Sequence, residues 1–122
     1  MSGADVRTDW LRMRDEVSAS AMANKQSQEA ALVMIERYRL LSEEERVVVD
    51  QLLCEQLASD DETVRFDALA LIHEFRITAA LPALRTLADW LEAQNSPGAP
   101  YEWAKVNRII GRVTSPQGGI QG

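Results

Sequence analysis

The residue types that could carry out catalysis are scarce in this chain. His73 is the only histidine and Cys54 the only cysteine. A hydrolytic triad needs a nucleophile, a base and an orienting group, and a metal site needs clustered ligands. No carboxylate lies three or four residues from His73, and Cys54 falls within or beside an apolar helical stripe, as a structural thiol does. No glycine-rich phosphate loop precedes a helix. We therefore expect no enzyme activity, no metal and no cofactor.

Acidic side chains concentrate in one segment, residues 43–62. The segment holds eight acids and one base, a net charge of −7 against −6 for the whole chain, so the other residues sum to +1. Helix capping and a solvated helix face are one explanation of such a cluster. The alternative is a docking edge whose field attracts a basic partner and sets its register. On that alternative, the partner-binding acids are Glu43, Glu44, Glu55, Asp60, Asp61 and Glu62.

Aromatic residues near the C-terminus give a second candidate binding surface. Tyr101 stands at a helix start after an exposed loop, and Trp103 follows it closely. Aromatic residues of this kind are enriched at the centres of protein interfaces, so Tyr101 and Trp103 complete the predicted partner-binding set. Trp103 also falls on an apolar stripe, which makes a core position the competing expectation. The aromatic residues expected in the core are Trp10, Tyr38, Phe75 and Trp103.

The elements that must position these residues are predicted to be helices. Apolar residues recur with helical spacing in six segments that begin near residues 5, 25, 42, 59, 78 and 100, and no strand-like alternation stands out. This predicts an all-α fold with short links between antiparallel neighbours. Ser42 and Glu45 have the spacing of a capping box, in which each side chain accepts a hydrogen bond from a free backbone N–H. Ser59 and Glu62 repeat that spacing, although Asp60 could cap the helix instead.

One stretch, residues 57–87, carries a more specific pattern. Asp60-Asp61 is followed by Val64-Arg65, Ala68 and Leu71-Ile72, and Leu81-Pro82-Ala83-Leu84 then opens the next helix. The pattern resembles a HEAT repeat. The resemblance implies a short right-handed α-solenoid of about three HEAT-like helical pairs, six helices in all. It also implies hydrogen bonds between the acids and Arg65 of neighbouring repeats, and a surface that binds proteins.

Length, composition and charge exclude several classes of protein. The 122 residues suit one domain, expected over residues 1–113, with a loose tail over residues 114–122. An acidic balance argues against nucleic acid as the partner, because phosphate binding needs a basic stripe. Neither a transmembrane run nor a signal peptide is apparent, so no membrane association is expected. A single cysteine fits a reducing compartment, and we expect a cytoplasmic protein.

Together these features predict a non-enzymatic protein-binding module whose partner has a basic surface. The most concrete version is an immunity protein, a toxin inhibitor that blocks a basic toxin. Many nuclease toxins are basic, and an acidic inhibitor imitates their substrate. The alternative is an adaptor or regulatory subunit of a larger protein assembly. A degenerate repeat enzyme with a ligand in its concave face is the enzyme-class alternative.

Overall fold

The computed structural model describes residues 3–23 and 27–114, and every regular element within those ranges is helical. Six α-helices and one 3₁₀ helix are present, and these residues contain no strand. The helices are α1 (Gly3–Ala23), α2 (Ser27–Arg39), α3 (Glu43–Gln56), α4 (Glu62–Phe75), α5 (Leu81–Glu92) and α6 (Ala99–Thr114), with the 3₁₀ helix at Thr78–Ala80. The predicted all-α class and its six helices are therefore confirmed. The predicted tail lies, apart from Thr114, outside the described residues.

The chain forms two compact units that divide within the last turn of α3. The first unit ends at Leu53 and the second begins at Cys54. The first contains α1, α2 and most of α3, and the second contains the end of α3 together with α4, α5 and α6. Both candidate aromatic residues, Tyr101 and Trp103, belong to the second unit.

Tyr38 is the centre of the first unit's packing. α1 packs against α2, where Trp10 meets Tyr38 edge-on with ring centroids 6.5 Å apart. The Tyr38 hydroxyl donates to Oδ1 of Asp50 on α3 at 2.7 Å, and the guanidinium carbon of Arg46 lies 5.0 Å from the Tyr38 ring centroid. Burial raises the pKa of the Tyr38 hydroxyl and, against the opposing hydrogen bond from Tyr38, the pKa of the Asp50 carboxyl. Tyr38 thus links α1 and α3 through its ring and its hydroxyl.

The second unit is built around α6, which packs against both α4 and α5. The central leucine of α4, Leu71, is fully buried, as expected from the helical spacing. The largest side chains with almost no exposure in this unit are Leu57, Leu69, Leu71, Ile72, Leu84, Val106 and Ile109. This core holds α4, α5 and α6 in fixed positions and so positions the candidate site.

The inward face of α6 differs from the prediction at Trp103. This residue is 39% exposed, so the expectation of a core position is wrong. Glu102, its neighbour, turns inward instead and its side chain is only 10% exposed. Because successive residues of an α-helix point about 100° apart, an inward Glu102 leaves Trp103 facing solvent. Phe75 is half-buried rather than fully buried. The buried residues of α6 are Ala99, Val106, Ile109 and Val113.

The structure confirms the predicted cap of α3 and contradicts the predicted cap of α4. At α3 the Ser42 N–H donates to Glu45 Oε1 at 2.8 Å and the Glu45 N–H donates to Ser42 Oγ at 3.2 Å, which is the predicted capping box. At α4 the cap is Asp61, whose Oδ1 accepts from the Thr63 N–H at 2.9 Å. Ser59 lies two residues before this cap, and its hydroxyl accepts from the Asp61 N–H instead. A carboxylate next to the first turn competes successfully for the free N–H groups.

The link between α4 and α5 is a tight turn followed by a 3₁₀ helix. Arg76 is left-handed, with φ 48° and ψ 56°, and its N–H donates to the Ile72 carbonyl. The Ile77 N–H donates to the same carbonyl at 3.2 Å. An α-helix from residue 78 would place the Pro82 ring against the carbonyl four residues earlier. The segment therefore begins as the 3₁₀ helix, and α5 starts at Leu81 with proline in its first turn.

Candidate functional site

A buried ion pair joins α4 to α6 beneath the exposed surface of the second unit. Arg65 Nε donates to Glu102 Oε2 at 2.6 Å and Nη2 donates to Oε1 at 2.9 Å. Its Nη1 donates to the Ser59 carbonyl at 2.9 Å. The hydrogen bonds that Arg65 donates to Glu102 hold the pKa of Arg65 above its ordinary value. The arginine side chain is 7% exposed, so the pair is a fixed part of the unit rather than a mobile surface contact.

The acids at the start of α4 are not the hydrogen-bond partners of Arg65. The Asp61 side chain caps α4. The guanidinium of Arg65 donates hydrogen bonds to Glu102 and to the Ser59 carbonyl. Within the described residues, Arg65 makes no hydrogen bond to Asp60 or Asp61. Glu102 offers a planar, two-oxygen acceptor that matches the guanidinium fork.

The Trp90 cleft lies beside this pair, between the end of α3, the loop before α4 and α5. Its volume is about 380 Å³, and it is largely apolar. Trp90 is 41% exposed, and the guanidinium carbon of Arg65 lies 5.2 Å from its ring centroid. The principal lining residues are Cys54, Leu57, Asp60, Thr86, Leu87 and Trp90. The cleft therefore combines an aromatic face, aliphatic walls and one carboxylate.

The Tyr101 cleft lies between α4 and α6 and has a volume of about 340 Å³. Tyr101, at the edge of this cleft, is 82% exposed. Lys105 Nζ lies 3.8 Å from the Phe66 ring centroid, and burial lowers the pKa of Lys105. The lining residues are Glu62, Phe66, Leu69, Gly98, Tyr101, Glu102 and Lys105. In this cleft a lysine is among the lining residues, whereas no basic residue lines the Trp90 cleft.

The predicted binding residues are distributed over both units. Glu43 and Glu44 lie in the first turn of α3, in the first unit, and are exposed. The other exposed predicted residues belong to the second unit, and they are Glu55, Asp60, Asp61, Glu62, Tyr101 and Trp103. The structure brings Asp60 together with Trp90 in one cleft and Glu62 together with Tyr101 in the other. Trp103 lines neither of these clefts.

Sequence reasoning missed Glu102 and Phe66. Glu102 is 37 residues from Arg65, a separation close to the length of one helical repeat. An acid one repeat length after Arg65 was the feature of the sequence that could have predicted this ion pair. Trp90 stands off the apolar stripe of its helix, which was a signal of exposure. Phe66 is 39% exposed, and it likewise lies off the apolar stripe of its helix.

The two residues considered for catalysis have simpler surroundings. The Cys54 thiol is half-buried and donates to the Ala79 carbonyl, with the sulfur 3.7 Å from the oxygen. His73 is exposed on α4, and its backbone carbonyl accepts from Arg112 Nε at 2.6 Å. Within residues 3–23 and 27–114, no three His, Cys, Asp or Glu side chains gather closely enough to hold a metal ion. The chemistry that the clefts offer is the binding of cationic and apolar groups.

Comparison with known proteins finds no match to this chain among family models, curated proteins or solved structures. None of the helices in the described ranges combines the length and the apolar character needed to cross a membrane. The geometry of the second unit therefore carries the functional argument.

Proposed function

We propose that this chain is a non-enzymatic protein-binding module for a partner with a basic surface. The observation that carries the proposal is the pairing of exposed aromatic side chains with acids, Trp90 with Asp60 and Tyr101 with Glu62, in two clefts of one unit. Aromatic side chains in pockets supply most of the binding energy at protein interfaces. Acids beside them select a cationic partner and speed its encounter.

A stack of helical pairs is the architecture that best suits this role. We propose a short right-handed HEAT-like α-solenoid of about three pairs, as the pattern in residues 57–87 implies. Packing of α6 against both α4 and α5 supports it, since a helix in such a stack contacts its own partner and the equivalent helix of the previous pair. An α-solenoid acts through an extended surface, which fits a role in occlusion or scaffolding.

The more concrete version of the proposal is an immunity protein that inhibits a basic toxin in the cytoplasm. An acidic surface of this kind can occupy a site that evolved to hold phosphates. The alternative is an adaptor or regulatory subunit of a larger protein assembly. The two versions differ in what happens to the partner on binding, because an inhibitor abolishes the partner's activity and an adaptor leaves it intact.

Affinity capture from the source cells tests the proposal. The bait is the wild-type chain, and a matched bait carries Trp90→Ala and Tyr101→Ala. A control bait carries Leu32→Ala, because Leu32 is an apolar side chain of the first unit with 61% exposure. We expect a basic protein that is retained by the wild-type and control baits, lost from the double variant, and released near 1 M salt, where the screening length is about 3 Å.

Two results would contradict the proposal. One is that no protein is retained by the wild-type bait at low salt. The other is that the double variant, shown by circular dichroism to be folded, retains the same proteins as the wild type. If a basic protein is captured, an assay of its own activity with and without added chain separates an inhibitor from an adaptor.

A further inference from the structure

We propose that the Trp90 cleft receives an arginine side chain of the partner protein. In this arrangement the guanidinium lies against the Asp60 carboxylate and the Trp90 ring, and the methylene groups lie along Leu57 and Leu87. The inference rests on the proposed function and specifies the chemistry of the group that the second unit recognises.

The charge in the cleft favours a cationic occupant. Asp60 is the one acidic residue among those that line it, and no basic residue lines it. Within the part of the chain that the structure describes, Asp60 makes no ion pair. Arg65 interacts electrostatically with Asp60, but it donates its hydrogen bonds to Glu102 and to the Ser59 carbonyl. A partner's cation therefore meets a carboxylate that the fold has left available.

The walls favour arginine over lysine. A guanidinium is planar, weakly hydrated and able to stack on an aromatic face, whereas an ammonium keeps a compact hydration shell. The Trp90 ring already has one guanidinium beside it, that of Arg65, and the bidentate bond to Glu102 offsets the charge of that group. The hydroxyl of Thr86 donates to the Pro82 carbonyl at 3.0 Å, which leaves its oxygen free to accept a further N–H.

The size of the cleft suits an anchoring side chain. About 380 Å³ lies at the lower end of the range of ligand pockets. Arginine is one of the three residue types that most often anchor interfaces by filling such pockets. The net charge of the whole chain, −6, agrees with a partner that presents such residues.

Cys54 provides a direct reporter of occupancy. It is the only thiol in the chain and it lines the cleft, so an occupant should slow its reaction with a thiol reagent. The probe is a short peptide of alternating leucine and arginine, acetylated and amidated at its ends. Two matched peptides replace each arginine with citrulline, which is nearly the same shape but uncharged, or with lysine.

We expect the arginine peptide to slow labelling of Cys54 in a saturable way and the citrulline peptide to leave the rate unchanged. The lysine peptide should need a higher concentration for the same protection. In Asp60→Asn the arginine peptide should bind about tenfold more weakly, as for loss of one charged hydrogen bond. Glu92→Gln, which removes an exposed acid of α5 that does not line the cleft, should behave as the wild type.

The inference is overturned if the arginine and citrulline peptides protect Cys54 equally, if the lysine peptide is as effective as the arginine peptide, or if Asp60→Asn leaves protection unchanged. Because Asp60 is exposed and does not cap α4, this variant should fold, and Trp90→Phe gives a second variant in which protection should weaken. The peptide experiment needs no natural partner. Its failure would leave the proposed function standing, and failure of the affinity capture would leave the peptide result standing.

Discussion

At the level of single residues, Arg65 has the contacts that matter most for the site. One guanidinium bonds to Glu102 on α6, to the Ser59 carbonyl before α4, and lies beside the Trp90 ring on α5. A planar group with five donors can satisfy these three directions at once, which a lysine ammonium cannot. Arg65 therefore contacts residues of α5 and α6 and the loop before α4.

Glu102→Gln should destabilise the protein by about 3–5 kcal/mol, because it leaves the buried charge of Arg65 without its partner. The paired variant Arg65→Met with Glu102→Leu removes both charges and should lose less. Urea unfolding of the variants measures these differences. Glu92→Gln, an exposed acid, is the matched control and should change stability by less than about 0.5 kcal/mol. A paired variant that is less stable than Glu102→Gln would show that the side chains contribute by packing rather than as an ion pair.

Asp50 should make the stability of the first unit depend on pH, in a direction that follows from its burial. Burial raises the pKa of its carboxyl in the folded state, so the folded state favours the protonated form. Its contribution to stability is therefore complete below the unfolded pKa and is lost as pH rises through the raised folded pKa. The unfolding free energy of the wild type, minus that of Asp50→Asn, should fall as pH rises above the ordinary pKa of an aspartate, about 4. A difference that rises with pH would contradict the burial of this carboxyl.

At the level of elements, the helices were predictable and some of their faces were not. Apolar spacing located all six helices, and the Ser42–Glu45 box marked the start of α3 because both partners lie within one turn. Trp103 was placed inward by the spacing of Val106 and Val113. That reasoning failed because Glu102 turns inward to reach Arg65, and a tertiary ion pair is invisible to local periodicity.

The start of α4 shows a second limit of sequence reasoning. Ser59, Asp60 and Asp61 are all good capping residues, and sequence preference alone does not choose among them. The backbone of Asp61 is extended, with φ −85° and ψ 114°, and its carboxylate reaches the Thr63 N–H. Backbone geometry therefore decides which acid serves the helix and which one, Asp60, is left to line the cleft.

Asp61→Ala should cost about 0.5–2 kcal/mol through loss of this cap. Asp60→Ala is the matched control, since it removes an adjacent acid that makes no cap and should change stability much less. Thermal or urea unfolding of the two variants gives the comparison. An equal effect of the two substitutions would show that the local negative charge, not the specific hydrogen bond, supports the start of α4.

At the level of the whole molecule, negative charge is present in both units. Acids outnumber bases by ten to seven up to Leu53 and by nine to six from Cys54 onward, a net charge of −3 for each. Neither unit alone accounts for the acidity. Both therefore contribute to a field that attracts cations within about 8 Å at physiological ionic strength.

The charge count was available from the sequence, but the aromatic clefts were not. Trp90 and Asp60 are far apart along the chain and come together only because α5 packs back near the loop before α4. Which acids stand beside an exposed ring depends on that packing. The partner's charge could thus be inferred from composition, whereas the pocket that selects one of its side chains required the structure.

The central claim, that this chain binds a basic protein, is tested most directly by the rate of association as salt is varied. The wild type is compared with a variant carrying Glu44→Lys, Glu55→Lys and Asp60→Lys, which spares the Asp61 cap and must first be shown to be folded. The partner is the protein obtained by affinity capture. Wild-type association should slow at least tenfold, the lower end of electrostatic steering, between low salt and about 1 M salt. The variant should be slow throughout and nearly independent of salt, with a smaller change in its dissociation rate. A folded variant that associates as fast as the wild type at low salt would contradict the claim.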